Sequence, residues 1–209
     1  DAGIRITLLD TCYLHAGPGA PLGEDQTRFS DGSVKGWLER WHALTDALPD
    51  SPLVTPGAAL HSVRAVSPDE MATAVSGLPD RAPIHVHVSE QPRENEECLA
   101  AHGLTPTAVL ERAGVLSDRT TVVPATHLSD DDIAMIARTD TIVSLCPTTE
   151  ADLGDGIARV KDLLDAEVRL TIGTDEDVVT DPFAELRLLE STARLATGTR
   201  GVIGCNSLW

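Results

Sequence analysis

The feature with the widest reach is an alternation repeated six times: a short run of apolar and β-branched residues, then a stretch whose apolar residues recur at helical spacing. The β-type runs are IRITLL at 4–9, GAALHSV at 57–63, APIHVHV at 82–88, TTVVPAT at 120–126, TIVSLC at 141–146 and VRLTIG at 168–173. Between and after them come helical patterns at 34–48, 67–75, 92–102, 105–113, 130–138, 156–166 and 181–196, the segment at 156–166 being reached from TIVSLC through a loop. Ser67 with Glu70 spells a capping box, Ser129 precedes three aspartates that suit a helix N-terminus, and Pro182 suits a first helical turn. Strands linked by helices run parallel, because antiparallel neighbours need far shorter links. The class is therefore α/β. An open doubly wound sheet satisfies the same periodicity. The polar residues favour a β/α barrel instead: His61 with Arg64, His87 with Glu90, PATH at 124–127, CPTTE at 146–150 and Asp175 all fall at the C-terminal ends of successive strands, where a barrel collects its site.

A formal net charge of −17 repels phosphate backbones and anionic lipid, so nucleic-acid and membrane partners are not expected, and an anionic substrate needs a local cationic pocket. No apolar run approaches the roughly 18 residues of a membrane helix, and the first residues lack the pattern of a signal peptide. A cytoplasmic location is the expectation. Cys12, Cys98, Cys146 and Cys205 are scattered without metal-knuckle spacing and read as ordinary thiols. The irregular stretch 13–33 is long for a compact domain and reads as a substrate lid.

The stretch IHVHVSE at 84–90 carries the chemistry. His85 and His87 share a strand face, whereas Glu90 would face away from His87 if the strand ran on. The strand has to end near Val88 for Glu90 to approach His87 and shuttle protons beside a metal ligand. For an isolated HVH, two histidines merely packed in a sheet is the more common reading. Asp175, just after the last strand, suits a second ligand of a borderline cation, and also a helix cap. A guanidinium such as that of Arg64 is a natural partner for a carboxylate, and also a common solvated residue at a helix entry.

In order and spacing, HSVRAVSPDEM, HVHVSEQPRENEECLA, ATHLSDDDIA, LCPTTEADLGDGI and IGTDED followed by FAELRLLE resemble the metal-dependent amidohydrolase superfamily and, within it, the formimidoylglutamate deiminases. The resemblance runs from Ile4 to about Gly201, leaving a tail at 202–209 that matches nothing and a barrel domain at 1–201. It implies a (β/α)8 barrel, one zinc, and hydrolysis of N-formimidoyl-L-glutamate to N-formyl-L-glutamate and ammonia by a zinc-activated water. His87 is then the fifth-strand zinc ligand, Glu90 the acid/base for the departing nitrogen, and Asp175 the eighth-strand ligand and base. His61 and Arg64 bind the glutamate part of the substrate, and a homodimer is the common assembly.

The chain also departs from that pattern. No second HxH pair occurs, so the visible strands are expected to be the third to eighth, with the first two before Asp1. Too few residues follow His87 for it to lie on a first strand, and His85 becomes a barrel-interior residue. Pro124 stands where the family has a histidine three residues before the His127 position, and Glu176 and Asp177 replace Ser-His after Asp175. Two other functions stay open: a decayed or truncated homologue without activity, and a deaminase of another amidine or a nucleobase-like ring.

Overall fold

The computed structural model describes residues 3–177 and 179–204; Asp1, Ala2, Val178 and 205–209, which include Cys205 and most of the 202–209 tail, lie outside the described residues. Six strands, β1 (Ile6–Cys12), β2 (Val54–Ser62), β3 (Ile84–Val88), β4 (Thr120–Pro124), β5 (Ile142–Leu145) and β6 (Leu170–Ile172), form one sheet. Every neighbouring pair is parallel and the spatial order is the sequence order, β1 through β6. A doubly wound sheet reverses its strand order at a switch point. This one never reverses, so the strands trace an arc of a β/α barrel.

The helices are α1 (Val34–Ala47), α2 (Pro68–Gly77), α3 (Pro92–His102), α4 (Pro106–Arg112), α5 (Asp130–Arg138), α6 (Pro147–Leu153), α7 (Val160–Asp165) and α8 (Pro182–Thr197). They cover one face of the arc and the core lies beneath them. On β3, Ile84, Val86 and Val88 are buried toward that core while His85 and His87 are half-buried on the opposite face. The two indoles of α1 are anchored by their polar edges. Trp37 donates to Asp10 Oδ1 at 2.9 Å and Trp41 to the Gly57 carbonyl at 2.9 Å, so both rings are buried with their N–H groups satisfied.

Helix starts follow the sequence signals. Ser67 and Ser129 each close a capping box. The Asp132 carboxylate, 1% exposed, accepts from the Ser129 amide at 2.9 Å and also from the Thr105 hydroxyl, tying the start of α5 to that of α4. Ser129→Ala is expected to lower stability by about 1 kcal/mol, read as a shifted urea midpoint with unchanged slope. One expectation is corrected: the connection after β5 is not a loop throughout, because 147–153 forms α6. Pro147 supplies the fixed φ of a first turn, Glu150 folds back to accept the Cys146 amide at 3.0 Å, and Gly154 ends the helix at φ +72°. Cys12, Cys98 and Cys146 are buried free thiols, and burial pushes each up to about 12. Among the described residues no helix is long and apolar enough to cross a membrane.

Candidate active site

The exits of β2 and β3 bring His61 and His87 together through a register shift. Leu60 pairs with Val86 but Ser62 pairs with His87, leaving His61 as the extra residue of a bulge in β2. Bulges of this kind re-aim a side chain beside functional sites. Here the bulge also frees the His61 carbonyl, which lies 3.0 Å from His87 Nδ1 and accepts its proton. A histidine whose Nδ1–H is engaged by a carbonyl presents Nε2 as the ligand atom, the usual orientation of a metal-binding imidazole. The two rings stand 5.1 Å apart at 67°, and Tyr13 packs edge-on to His61 from the other side at 4.6 Å. Burial, reinforced by the positive fields of His87 and Arg64, lowers His61 to about 4, so its ring is neutral at pH 7.

β3 ends at Val88 as the chemistry requires. Ser89 then takes φ +50°, and Glu90 is turned off the strand axis. Burial raises the Glu90 carboxyl above the ordinary range, while it lies in the fields of His87, Asp155, Arg64 and Asp175. The raised proton affinity suits a group that has to donate near neutral pH. Glu90 and Arg64 line one cavity of about 330 Å³ with Gln91, Arg93, Glu94, Glu97 and Ala16. Arg64 Nε is buried and without a hydrogen-bond partner among the described residues. His61 and Tyr13 line a larger cavity of about 770 Å³ with Gln26, Arg28 and Phe29, so the segment predicted as a lid does border the histidine face.

Asp175 lies three residues past β6, at φ +50° and exposed to solvent. Its neighbour Asp177 accepts from the Thr174 hydroxyl at 2.9 Å, and the Glu176 amide donates to Thr149 Oγ1 at 3.3 Å, so the departing residues brace the loop. Among the described residues no three His, Cys, Asp or Glu groups converge closely enough to hold an ion. His87 suits a zinc ligand by its orientation. The ligands expected from the sequence, His87 and Asp175, number two, one short of the three protein ligands of a catalytic zinc site.

His127 does not stand in for the histidine missing at Pro124. Its Nε2 lies 2.6 Å from the Asp155 carbonyl, and its own carbonyl accepts from Asn95 at 2.8 Å. Pro124 is buried at the end of β4. His85 shares the His87 face, as predicted for an interior position, and burial lowers its pKa. Glu94, 4% exposed, was not singled out in the sequence, and Glu150, 5% exposed, entered only as the end of CPTTE. Both stand shortly after a proline in the first turn of a helix that leaves a strand, and that spacing was the available signal.

Comparison with known proteins decides the family. The amidohydrolase family pattern matches residues 2–205. The chain belongs to the amidohydrolase family. It is 39% identical over 199 residues to the formimidoylglutamate deiminase of Pseudomonas aeruginosa, an alignment covering 93% of this chain and 43% of that protein. It is 28% identical to a 5-methylthioadenosine/S-adenosylhomocysteine deaminase of Thermodesulfovibrio yellowstonii, over 88% of this chain and 42% of that enzyme. Among solved structures, an amidohydrolase from Brucella melitensis superposes with a TM-score of 0.93 at 35% identity, covering 99% of this chain and 47% of its own. The chain thus spans less than half the length of the relatives it matches, and the parallel arc is the corresponding part of their barrel fold.

Proposed function

We propose that the protein bearing this chain is a metal-dependent deiminase that converts N-formimidoyl-L-glutamate to N-formyl-L-glutamate and ammonia. The observation that carries this reading is the shared cavity of Arg64 and Glu90. A guanidinium with an unpartnered Nε suits a substrate carboxylate, and a carboxyl of raised proton affinity beside it suits a departing nitrogen. His87 and Asp175 would hold the zinc jointly with further ligands, and the cation when bound supplies Lewis-acid polarisation and a more acidic water. In the proposed reaction the water oxygen bonds to the formimidoyl carbon as Asp175 takes a water proton. From the protonated amidine this leaves a neutral adduct; Glu90 then gives its proton to the terminal nitrogen as the carbon–nitrogen bond breaks, ammonia leaves, and the adduct's hydroxyl proton passes to Glu90 as the formyl C=O forms. His61, neutral and held beside Tyr13 and His87, would also bind the glutamate part by the resemblance, although it lines the larger cavity and Arg64 the smaller.

Relatives that deaminate nucleosides share the fold and part of the sequence, so the test has to separate substrates. The full-length protein bearing this sequence, loaded with zinc, is expected to release ammonia from N-formimidoyl-L-glutamate and not from 5′-methylthioadenosine. The reverse preference would overturn the reading. Arg64→Ala is expected to raise KM for the formimidoyl amino acid by about tenfold to a hundredfold, the worth of a charged hydrogen bond, with a smaller change in kcat. An unchanged KM would remove Arg64 from the substrate site. Pro124, buried and without a side-chain donor, favours a second reading, an inactive homologue. A folded, zinc-loaded full-length protein that releases no ammonia from either substrate would select it.

A further inference from the structure

Glu94 is a carboxylate that a helix surface would normally leave in water, yet here it is 4% exposed. Taking such a group out of water is costly unless hydrogen bonds compensate, and burial raises its proton affinity. The compensation comes from the strand exit it faces. Its Oε2 accepts from the Glu90 amide at 3.1 Å, and the Glu90 and Ser89 amides both favour its charged form. Those two residues make the turn that ends β3. Ser89, fully buried, holds φ +50°, a backbone region that L-residues seldom occupy and that persists only where surrounding contacts over-determine it.

The contacts that fix the turn come from separate elements. The Val88 carbonyl accepts from the Ala125 amide at 3.1 Å and the Ser89 carbonyl from the His127 amide at 2.9 Å, both from the exit of β4. The Gln91 side chain donates to Asp155 at 2.9 Å. Carbonyls and flanking side chain are therefore held from β4 and from the loop after α6, while the Glu90 amide is held by Glu94 alone among the described residues. The other oxygen of Glu94 makes no hydrogen bond and belongs to a residue lining the cavity shared with Arg64.

We propose that Glu94 is a positioning residue: its buried carboxylate clamps the left-handed Ser89–Glu90 turn and thereby aims the Glu90 side chain at the reacting nitrogen. The inference rests on the assignment of Glu90 as the acid/base. A displacement of about 1 Å at a reacting group costs on the order of a hundredfold in rate, so a clamp at the Glu90 amide is a lever on turnover.

The test compares wild type, Glu94→Gln, which keeps an acceptor, and Glu94→Met, which fills the volume without one. Amide hydrogen exchange on the 209-residue chain is expected to show a protected Glu90 amide in wild type. Protection at that amide should fall by about tenfold to a hundredfold in Glu94→Met and largely persist in Glu94→Gln, with β4 amides unchanged in both. An unprotected Glu90 amide in wild type, or a loss spread evenly over the sheet, overturns the clamp whether or not the variants fold well. In the full-length protein, Glu94→Met is expected to lower kcat for N-formimidoyl-L-glutamate by about tenfold to a hundredfold with little change in KM, and Glu94→Gln to restore most of it. Unchanged kcat in Glu94→Met overturns the positioning role. Absence of turnover in wild type instead refutes the proposed reaction, and the exchange result then decides the clamp by itself.

Discussion

Glu90→Gln is expected to lower kcat for N-formimidoyl-L-glutamate by about a hundredfold to ten-thousandfold in the full-length protein, with KM little changed. The substitution keeps size and hydrogen-bonding shape but removes the proton. Proton transfer by a positioned side chain is worth rate factors of that order, and an interaction made only in the transition state appears in kcat and not in KM. The surroundings of Glu90 favour its protonated form. Burial raises the Glu90 carboxyl, and Asp155 and Asp175 add to that, whereas His87 and Arg64 oppose it. A carboxyl so shifted keeps a larger protonated fraction near neutral pH than one in water. Steady-state ammonia release over a pH series gives the comparison. A glutamine variant with wild-type kcat would take Glu90 out of the chemistry, and a variant altered only in KM would make it a binding group.

The parts of this fold that local sequence controls were legible, and those set by tertiary contact were not. Period-two runs and period-3.6 runs gave the six β/α units, because each strand buries one face against helices that bury one stripe. The turn at Val88 was legible too, since Glu90 can approach His87 only if the strand stops there. The bulge at His61 was not, because it is a mismatch between β2 and β3 that neither strand shows alone. The same holds for the His61 carbonyl that orients His87, a contact across 26 residues of sequence. Asp175 shows the limit from the other side: its position after β6 was plain, but its exposure depends on what lies opposite the arc. In sequence Glu94 is one acidic residue of a helical segment and Glu150 the last residue of CPTTE in an expected loop, and only the packing shows that each has been drawn inward to hold a strand exit.

Glu150 should make this chain less stable as pH rises through the weakly acidic range. Its carboxyl is moved from the ordinary value near 4.5 to about 7, by burial first, with Asp155, Glu185 and Asp175 adding repulsion against the partial relief of the Cys146 amide. Between those two values the folded chain binds more protons at this site than the unfolded chain does, so unfolding releases protons and stability falls with rising pH. The contribution is fully present below pH 4.5 and is lost by pH 7, a difference on the order of 3 kcal/mol from this group. Glu150→Gln can still accept the Cys146 amide but carries no charge to bury. Urea unfolding at pH 5 and pH 8 should therefore show wild type losing stability relative to the variant, with the variant the more stable of the two at pH 8. Parallel pH dependence in both proteins would mean that the Glu150 carboxylate is relieved in the folded state. The same experiment bears on the site, because Asp175 contributes to the repulsion. In the full-length protein a divalent cation held at Asp175, as proposed, would offset that negative field, so zinc would shrink the gap between wild type and Glu150→Gln at pH 8.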